Sequence, residues 1–186
     1  MAHTKNNLII LDRDGVINYD SENYIKSPAE WNPIKGSLEA IARLNQAGFR
    51  VVIATNQSGV GRGLYDMATL NAIHEKMLKM LSAVGGHIDA IFFCPHTPEM
   101  KCNCRKPQIG MYLSIAERFH IDLKGVPSVG DSIRDIEAAY TAGMQPILVL
   151  TGNGQKTYDS GCIPDDTLVF PSVVEVSRYL ISSKSS

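Results

Sequence analysis

The stretch Leu8-Ile9-Ile10-Leu11-Asp12-Arg13-Asp14-Gly15 decides the fold, because a short apolar run leads directly into two carboxylates. Four consecutive branched apolar residues are typical of a central strand that is buried on both faces of a parallel sheet. Carboxylates buried at the end of such a strand are costly unless a partner neutralises them, and Mg²⁺ prefers oxygen ligands of this kind. The stretch therefore predicts a cation site at the carboxyl edge of a sheet. An ordinary acidic turn stays an alternative, since Asp and Gly are common in turns.

Length, composition and charge narrow the class of protein. A chain of 186 residues suits one domain with a hydrophobic core, and a net charge of −1 argues against a large nucleic-acid surface. No apolar stretch approaches the ~20 residues of a membrane helix, and the polar residues 1–7 do not form a secretory signal. We therefore expect a single domain over residues 1–186 that is cytoplasmic and monomeric and binds neither nucleic acid nor membranes.

Apolar runs with strand character alternate with helix-like segments along the chain. The strand candidates are Leu8–Leu11, Arg50–Ala54, Ala90–Cys94, Ser128–Val129 and Ile147–Leu150. The helix candidates are Ser37–Ala47, Asp66–Val84, Gly110–Phe119, Ile133–Ala142 and Val173–Ile181. This alternation predicts an α/β fold, a doubly wound, Rossmann-like parallel sheet with helices on both faces. We further expect a loop over Gly152–Asp166 that borders a site, and a disordered tail over Ser182–Ser186.

Four groups of polar residues lie at predicted strand ends or helix starts. They are Asp12 with Asp14, Thr55 to Gly59, Arg105 with Lys106, and Asp131-Ser132 with Asp135. In a doubly wound sheet such positions converge on one crevice. The crevice would then hold carboxylates, a hydroxyl, an amide and a lysine. This set suits phosphoryl transfer, in which positioning and charge neutralisation supply most of the catalysis. Taken singly, Thr55 could merely end a strand, Lys106 could be a solvated lysine and Asp131 could be a helix N-cap.

The order of these groups resembles that of the haloacid dehalogenase-like (HAD-like) phosphatases. The shared pattern is Asp-x-Asp-Gly, a strand ending in Thr, Lys-Pro and Gly-Asp-x-x-x-Asp, and it spans Leu8 to Asp135. The resemblance implies that Asp12 is a nucleophile that forms an aspartyl-phosphate, and that Asp14 is a general acid and then a base. It implies that Thr55 binds a phosphoryl oxygen and Lys106 neutralises charge. The implied Mg²⁺ ligands are the Asp12 carboxylate, the Asp14 backbone carbonyl and Asp131, with Ser132 and Asp135 in support.

Three of the four cysteines cluster with a histidine in a short loop. The pattern is Cys94-Pro95-His96, five residues, and then Cys102-Asn103-Cys104. Three thiolates and one imidazole match a closed, four-coordinate structural zinc site, although free thiols and a surface histidine stay an alternative. Because Arg105 and Lys106 follow directly, Zn²⁺ would fix the backbone that delivers Lys106 and would aim Arg105 into the crevice. Cys162, His3, His74, His87 and His120 show no ligand spacing, so we expect a free thiol and structural or exposed histidines.

Two stretches, the zinc loop and the residues from Asn56 to Tyr65, narrow the resemblance to the heptose-bisphosphatase branch of this family. The resemblance covers the chain up to about Gly154. That branch implies removal of the 7-phosphate of D-glycero-D-manno-heptose 1,7-bisphosphate, giving the 1-phosphate for ADP-heptose and lipopolysaccharide core synthesis. The related histidinol-phosphatases share the zinc pattern, so histidinol phosphate is an alternative substrate. A zinc-stabilised, non-catalytic binding module is the alternative from another class.

The predicted elements fill the chain between Asp14, Thr55 and Lys106 and leave no room for a separate cap domain. The choice of a phosphorylated sugar is then expected to fall to loops. The residues expected to bind this substrate are Asp20, Ser21, Glu22, Asn23, Asn56, Gln57, Ser58 and Arg105. Tyr24 and Trp31 could pack on a sugar, but Trp31 is expected in the core.

Overall fold

Six parallel strands form one sheet in the computed structural model, which describes residues 7–184. The strands are β1 (Leu8–Leu11), β2 (Arg50–Asn56), β3 (Ala90–Cys94), β4 (Pro127–Gly130), β5 (Gln145–Val149) and β6 (Leu168–Phe170). Their order across the sheet is β3-β2-β1-β4-β5-β6. The predicted doubly wound parallel sheet is confirmed, and β1 lies at its centre.

Helices connect the strands and cover both faces of the sheet. They are α1 (Ser37–Gln46), α2 (Ser58–Gly61), α3 (Met67–Ala83), α4 (Gly110–Phe119), α5 (Ile133–Thr141), α6 (Gly154–Asp159) and α7 (Val173–Lys184), with a 3₁₀ turn at Pro98–Met100. Successive residues of a strand point to opposite faces. Ile9 and Leu11 accordingly pack in one hydrophobic core, while Leu8 and Ile10 pack in the other. Burial on both faces is why β1 carries no polar residue.

The predicted strands and helices are all present, with bounds that match or differ by at most three residues. The loop predicted over Gly152–Asp166 is wrong in part, because it contains α6. The Thr157 hydroxyl, on α6, donates to the carbonyl of Asp131 at 2.8 Å and ties this helix to the end of β4. The short strand β6 also had no sequence prediction.

The predicted disordered tail is wrong for Ser182 to Lys184, because α7 continues through Lys184. The hydroxyls of Ser182 and Ser183 donate to the carbonyl of Tyr179, and Lys184 Nζ donates to the carbonyl of Ala47 at 2.6 Å. The serine contacts stabilise the last turn of α7, and the Lys184 contact holds it against the end of α1. Ser185 and Ser186 lie outside the described residues, as does His3.

The segments that join the site residues contain no separate cap domain within residues 7–184. Between Asp14 and Thr55 the chain forms α1 and most of β2, and between Thr55 and Lys106 it forms α2, α3, β3 and the 3₁₀ turn. The carboxyl edge of the sheet therefore stays open. Among the described helices, none has both the length and the apolar character needed to cross a bilayer.

Candidate active site

Lys106 lies at the centre of a buried charge cluster beyond the ends of β1 and β4. Its Nζ is 3.2 Å from Oδ1 of Asp12 and 2.6 Å from Oδ1 of Asp135, and it donates to the carbonyl of Ala54 at 2.6 Å. Burial alone would lower the pKa of Lys106, but the two carboxylates raise it above its usual value. The lysine is therefore a fixed positive charge beside Asp12.

Asp12 and Asp131 form a carboxylate pair whose pKa values are raised. Burial, opposed in part by Lys106, raises the pKa of Asp12 to about 7. Burial and the negative charges of Asp135 and Asp12 raise the pKa of Asp131 to about 8. Apart from its ion pair with Lys106, the buried Oδ1 of Asp12 has no hydrogen-bond partner among the described residues. Two desolvated carboxylates in this state fit a divalent cation, which prefers such oxygen ligands.

Asp135 contacts both Lys106 and Ser132 within this cluster. One of its oxygens contacts Lys106, and the other accepts from the backbone N–H and the hydroxyl of Ser132, at 3.0 and 2.6 Å. Ser132 is also the N-cap of α5, in a capping box with Asp135. Because both Asp135 oxygens are occupied, this residue positions Lys106, and Asp12 and Asp131 are the better candidates for a metal.

Two glycines make the space that Asp131 occupies. A Cβ at Gly15 or at Gly152 would overlap the Asp131 carboxylate, and both glycines have positive φ, +77° and +58°. An L-residue adopts that conformation only with strain. Asn153, next to Gly152, donates its backbone N–H to Oδ2 of Asp131 at 2.7 Å. The Asp-x-Asp-Gly motif thus depends on its glycine for the shape of the carboxylate site.

Asp14 lies in a different environment from Asp12. Its carboxylate accepts hydrogen bonds from Nε and Nη2 of Arg13 at 2.9–3.0 Å, from Asn18 at 2.9 Å and from Gln57 at 2.9 Å. Burial would raise the pKa of Asp14, but the charge of Arg13 and these hydrogen bonds lower it below its usual value. Asp14 is therefore held as a carboxylate.

The last two residues of β2, Thr55 and Asn56, contact other residues of the site. Thr55 is buried, and its hydroxyl accepts from Gln57 Nε2 at 2.9 Å. The Asn56 side chain accepts from the Lys106 backbone N–H at 3.1 Å and donates to the Lys106 carbonyl at 3.0 Å. Asn56 was predicted to bind substrate, whereas its amide here clamps the backbone that carries Lys106.

The cysteine–histidine loop brings together the four residues that the sequence singled out. The distances between the sulfurs of Cys94, Cys102 and Cys104 are 3.2–3.5 Å, and His96 Nδ1 lies 3.3 Å from the sulfur of Cys104. All three cysteines are free thiols. A tetrahedral zinc site with Zn–S bonds of ~2.3 Å has edges of about 3.5–3.8 Å, so the donor set and its size fit Zn²⁺.

An open cleft of about 210 Å³ lies above the charge cluster. Among its lining residues are the predicted substrate ligands Asp20, Ser21, Asn56, Gln57, Ser58 and Arg105. Glu22 and Asn23 are exposed and do not line it, so their prediction as ligands is not supported by this geometry. Tyr24 lines the cleft, and Trp31 is fully buried in the core as expected.

Sequence reasoning missed several residues of the site. Arg13 is completely buried behind Asp14, and His74 and Tyr65 complete its hydrogen-bond network from α3 and from the turn before it. Arg134 lines the cleft beside Arg105, whose pKa is lowered by burial and by that neighbouring charge. Of these residues, only His74 could have been noticed in the sequence, because it is a polar residue on the apolar face of a predicted helix. The other contacts depend on chain segments brought together by the sheet.

Comparison with known proteins gives a consistent set of similarities. A family model described as HAD-hydrolase-like matches residues 103–176. The D-glycero-β-D-manno-heptose-1,7-bisphosphate 7-phosphatase of Bordetella bronchiseptica is 58% identical over 174 residues, which are 94% of this chain and 97% of the relative. The match thus extends well beyond Gly154, where the sequence resemblance ended.

Solved structures show the same similarity. The crystal structure of D,D-heptose 1,7-bisphosphate phosphatase from B. bronchiseptica, complexed with magnesium and phosphate, has a TM-score of 0.93 at 57% identity. That match covers 95% of this chain and 98% of the other. The enzyme of that name from Burkholderia thailandensis has a TM-score of 0.76 at 51% identity, covering 94% and 98%. These matches cover nearly the whole of each chain.

Proposed function

Since the chain belongs to the D-glycero-β-D-manno-heptose-1,7-bisphosphate 7-phosphatases, a HAD-like family, we propose that it removes the 7-phosphate of that heptose bisphosphate. The product is the 1-phosphate, which serves ADP-heptose and lipopolysaccharide core synthesis. The observation that carries the proposal is the near full-length similarity to enzymes of this name, together with a cleft that has Asp12, Asp14 and Lys106 on its floor. The reaction is the hydrolysis of a phosphoric monoester.

Asp12 is the proposed nucleophile. Its carboxylate lies at the cleft, and its attack on phosphorus forms an aspartyl-phosphate while the sugar oxygen leaves. Lys106, fixed 3.2 Å away, neutralises charge on the carboxylate and on the arriving phosphoryl group. Gln57 lines the cleft and Thr55 lies buried beside it, and we propose that their amide and hydroxyl support the phosphoryl oxygens.

Asp14 is the proposed acid and base. In the first half of the reaction it protonates the leaving oxygen, and in the second it takes a proton from the water that hydrolyses the aspartyl-phosphate. Its low pKa favours the carboxylate, which is the form that the second role requires. A dianionic phosphate placed beside it raises that pKa, because a nearby negative charge favours the neutral acid, and this suits the first role.

The carboxylates of Asp12 and Asp131 and the backbone carbonyl of Asp14 are the proposed ligands of Mg²⁺. The raised pKa values of the two carboxylates support this assignment, as does the Asp12 oxygen that has no hydrogen-bond partner among the described residues beyond its ion pair with Lys106. When bound, Mg²⁺ supplies positive charge that offsets the negative charge of the phosphoryl group.

The loop Cys94 to Cys104 is the proposed zinc site, and its role is structural. The loop contains few buried apolar side chains, so metal ligation would stabilise it where packing does not. Its last ligand, Cys104, is two residues from Lys106, so the loop and the Asn56 amide hold the lysine backbone from two sides.

The 1-phosphate end of the substrate is proposed to meet Arg105 and Arg134. Both line the cleft, and no described carboxylate forms an ion pair with either. Two guanidiniums at the mouth favour a second anionic group. A cationic substrate such as histidinol phosphate would be repelled at this position, although Asp20 is also present at the cleft.

We further propose that the chain acts as one monomeric phosphatase domain in the cytoplasm. The single sheet spans the described chain from β1 to β6, and three clustered thiols suit a reducing compartment.

The proposed activity is tested by measuring phosphate release from two substrates, the heptose 1,7-bisphosphate and histidinol phosphate. Both are assayed side by side in the presence of Mg²⁺. We expect kcat/KM for the heptose bisphosphate to be higher by roughly tenfold or more, and Asp12→Asn to lower kcat by roughly a thousandfold. Equal rates, or a preference for histidinol phosphate, would contradict the substrate. Activity that survives in Asp12→Asn would contradict the nucleophile.

A further inference from the structure

One buried polar side chain interrupts the apolar face of α3. His74 is 7% exposed and lies at helical spacing from the buried residues Leu70, Met77 and Leu81. Its ring packs at a tilt against Phe93, with 6.3 Å between the ring centroids. A polar group in such a position is disfavoured unless it is hydrogen-bonded.

The partner of His74 is Arg13, the residue between the two catalytic aspartates. Arg13 is 0% exposed, and its Nη1 lies 3.2 Å from Nε2 of His74. Its Nε and Nη2 donate to Asp14, and Nη2 also donates to Gln57 Oε1 at 3.1 Å. His74 is the acceptor that the described residues provide for Nη1. The guanidinium is therefore fixed on one side by Asp14 and Gln57 and on the other by His74.

The chemistry of the two groups determines the protonation state of the imidazole. A guanidinium has only donors, so Nε2 of His74 must accept and the ring proton must lie on Nδ1. Burial, and then the charge of Arg13, lowers the pKa of His74 to about 4. Near neutral pH the ring is thus a neutral acceptor.

We propose that His74 is a positioning residue: by accepting from Arg13 it orients the guanidinium that holds the Asp14 carboxylate, and so aligns Asp14 for proton transfer. The inference rests on the proposed function, in which Asp14 acts as acid and base. The guanidinium is planar and moves as one rigid group. If Nη1 lost its acceptor and the group rotated, the Nε and Nη2 donors would therefore move away from the carboxylate. Misplacement of a catalytic group by about 1 Å can lower a rate by ~10²-fold.

The leaving group distinguishes positioning from a general structural role. When a sugar phosphate is cleaved, the phosphorus–oxygen bond breaks and the alkoxide oxygen takes the proton of Asp14. When p-nitrophenyl phosphate is cleaved, the stable phenolate leaves without a proton. A misaligned Asp14 should therefore slow the first cleavage and spare the second.

The test compares His74→Leu, His74→Phe and His74→Gln with the parent and with His87→Gln, a control at a histidine whose side chain is 64% exposed. We expect His74→Leu and His74→Phe to lower kcat for the heptose bisphosphate by roughly 10- to 100-fold, with KM changed less than about twofold. In the same two variants, the rate of nitrophenol release from p-nitrophenyl phosphate in the first turnover should change less than about threefold. His74→Gln, whose carbonyl can accept from Arg13, should recover kcat to within about threefold of the parent. His74→Phe keeps the ring and serves if His74→Leu does not fold.

Asp14→Asn separates failure of this inference from failure of the proposed function. This substitution should lower the rate of sugar phosphate cleavage much more than the rate of nitrophenol release in the first turnover. If it does and the His74 variants lower both equally, or neither, the positioning role is wrong while the function of Asp14 stands. If Asp14→Asn lowers both reactions equally, the proposed role of Asp14 and this inference are both overturned. Failure of His74→Gln to recover kcat also contradicts the inference.

Discussion

Asp12 and Asp14 are two positions apart and have opposite electrostatic environments. Burial raises the pKa of Asp12 to about 7, whereas the charge of Arg13 and hydrogen bonds outweigh burial and lower the pKa of Asp14. The side chain between them, Arg13, provides much of this difference. A divalent cation beside Asp12 would lower its pKa again and favour the carboxylate form that the proposed nucleophile requires.

At the same scale, Gly15→Ala should weaken the binding of Mg²⁺. The new Cβ would overlap the carboxylate of Asp131, and a φ of +77° strains any L-residue by ~1–2 kcal/mol. We expect the Mg²⁺ concentration for half-maximal activity to rise by roughly tenfold, measured by titrating activity with Mg²⁺.

The control for this substitution is Gly143→Ala. Gly143 has a similar φ, +71°, and a Cβ there would contact nothing within 4 Å. It should lower thermal stability to a similar extent and leave the Mg²⁺ dependence unchanged. The same Mg²⁺ dependence in both variants would show that backbone strain, rather than contact with Asp131, determines the effect.

At the scale of elements, the sequence predicts those whose formation depends on local pattern. β1 and α4 have continuous or periodic apolar residues, and both form with the predicted bounds. β6 is a half-buried edge strand of three residues, too short to show a pattern. α6 has a polar sequence, and its position depends on the contact of Thr157 with Asp131. Elements of this kind are determined by the packed sheet, so local pattern could not predict them.

The zinc loop gives a prediction at the scale of elements. Removal of Zn²⁺ by a chelator, or the substitution Cys104→Ser, should lower kcat by roughly 10- to 100-fold by displacing Lys106. Far-ultraviolet circular dichroism should stay close to that of the parent, because Cys94, at the end of β3, is the one ligand of the four that lies in the sheet. Cys162→Ser is the matched control, since Cys162 is exposed and lies outside the cluster. Full turnover in folded, zinc-free protein would contradict this coupling.

At the scale of the whole molecule, the strand order assembles the site. β1 lies between β2 and β4, so the residues that follow these three strands meet over one edge of the sheet. That convergence could be predicted from the parallel topology alone. The contacts of His74 with Arg13 and of Asn153 with Asp131 could not, because each joins distant segments whose side chains meet only in the packed fold.

The raised pKa values of Asp12 and Asp131 predict how Mg²⁺ affects the stability of the whole chain. Without metal, the folded protein keeps these protons up to about pH 7 and 8, while the unfolded chain loses them near pH 3.8. The unfolded state therefore binds fewer protons across this range, and these two groups lower the free energy of unfolding as the pH rises. Mg²⁺ binds the deprotonated carboxylates, so its affinity rises over the same range. We expect the increase in Tm on adding Mg²⁺ to grow from pH 5 to about pH 8, measured by thermal unfolding, and to be largely lost in Asp131→Asn. An increase in Tm that is independent of pH would contradict this linkage.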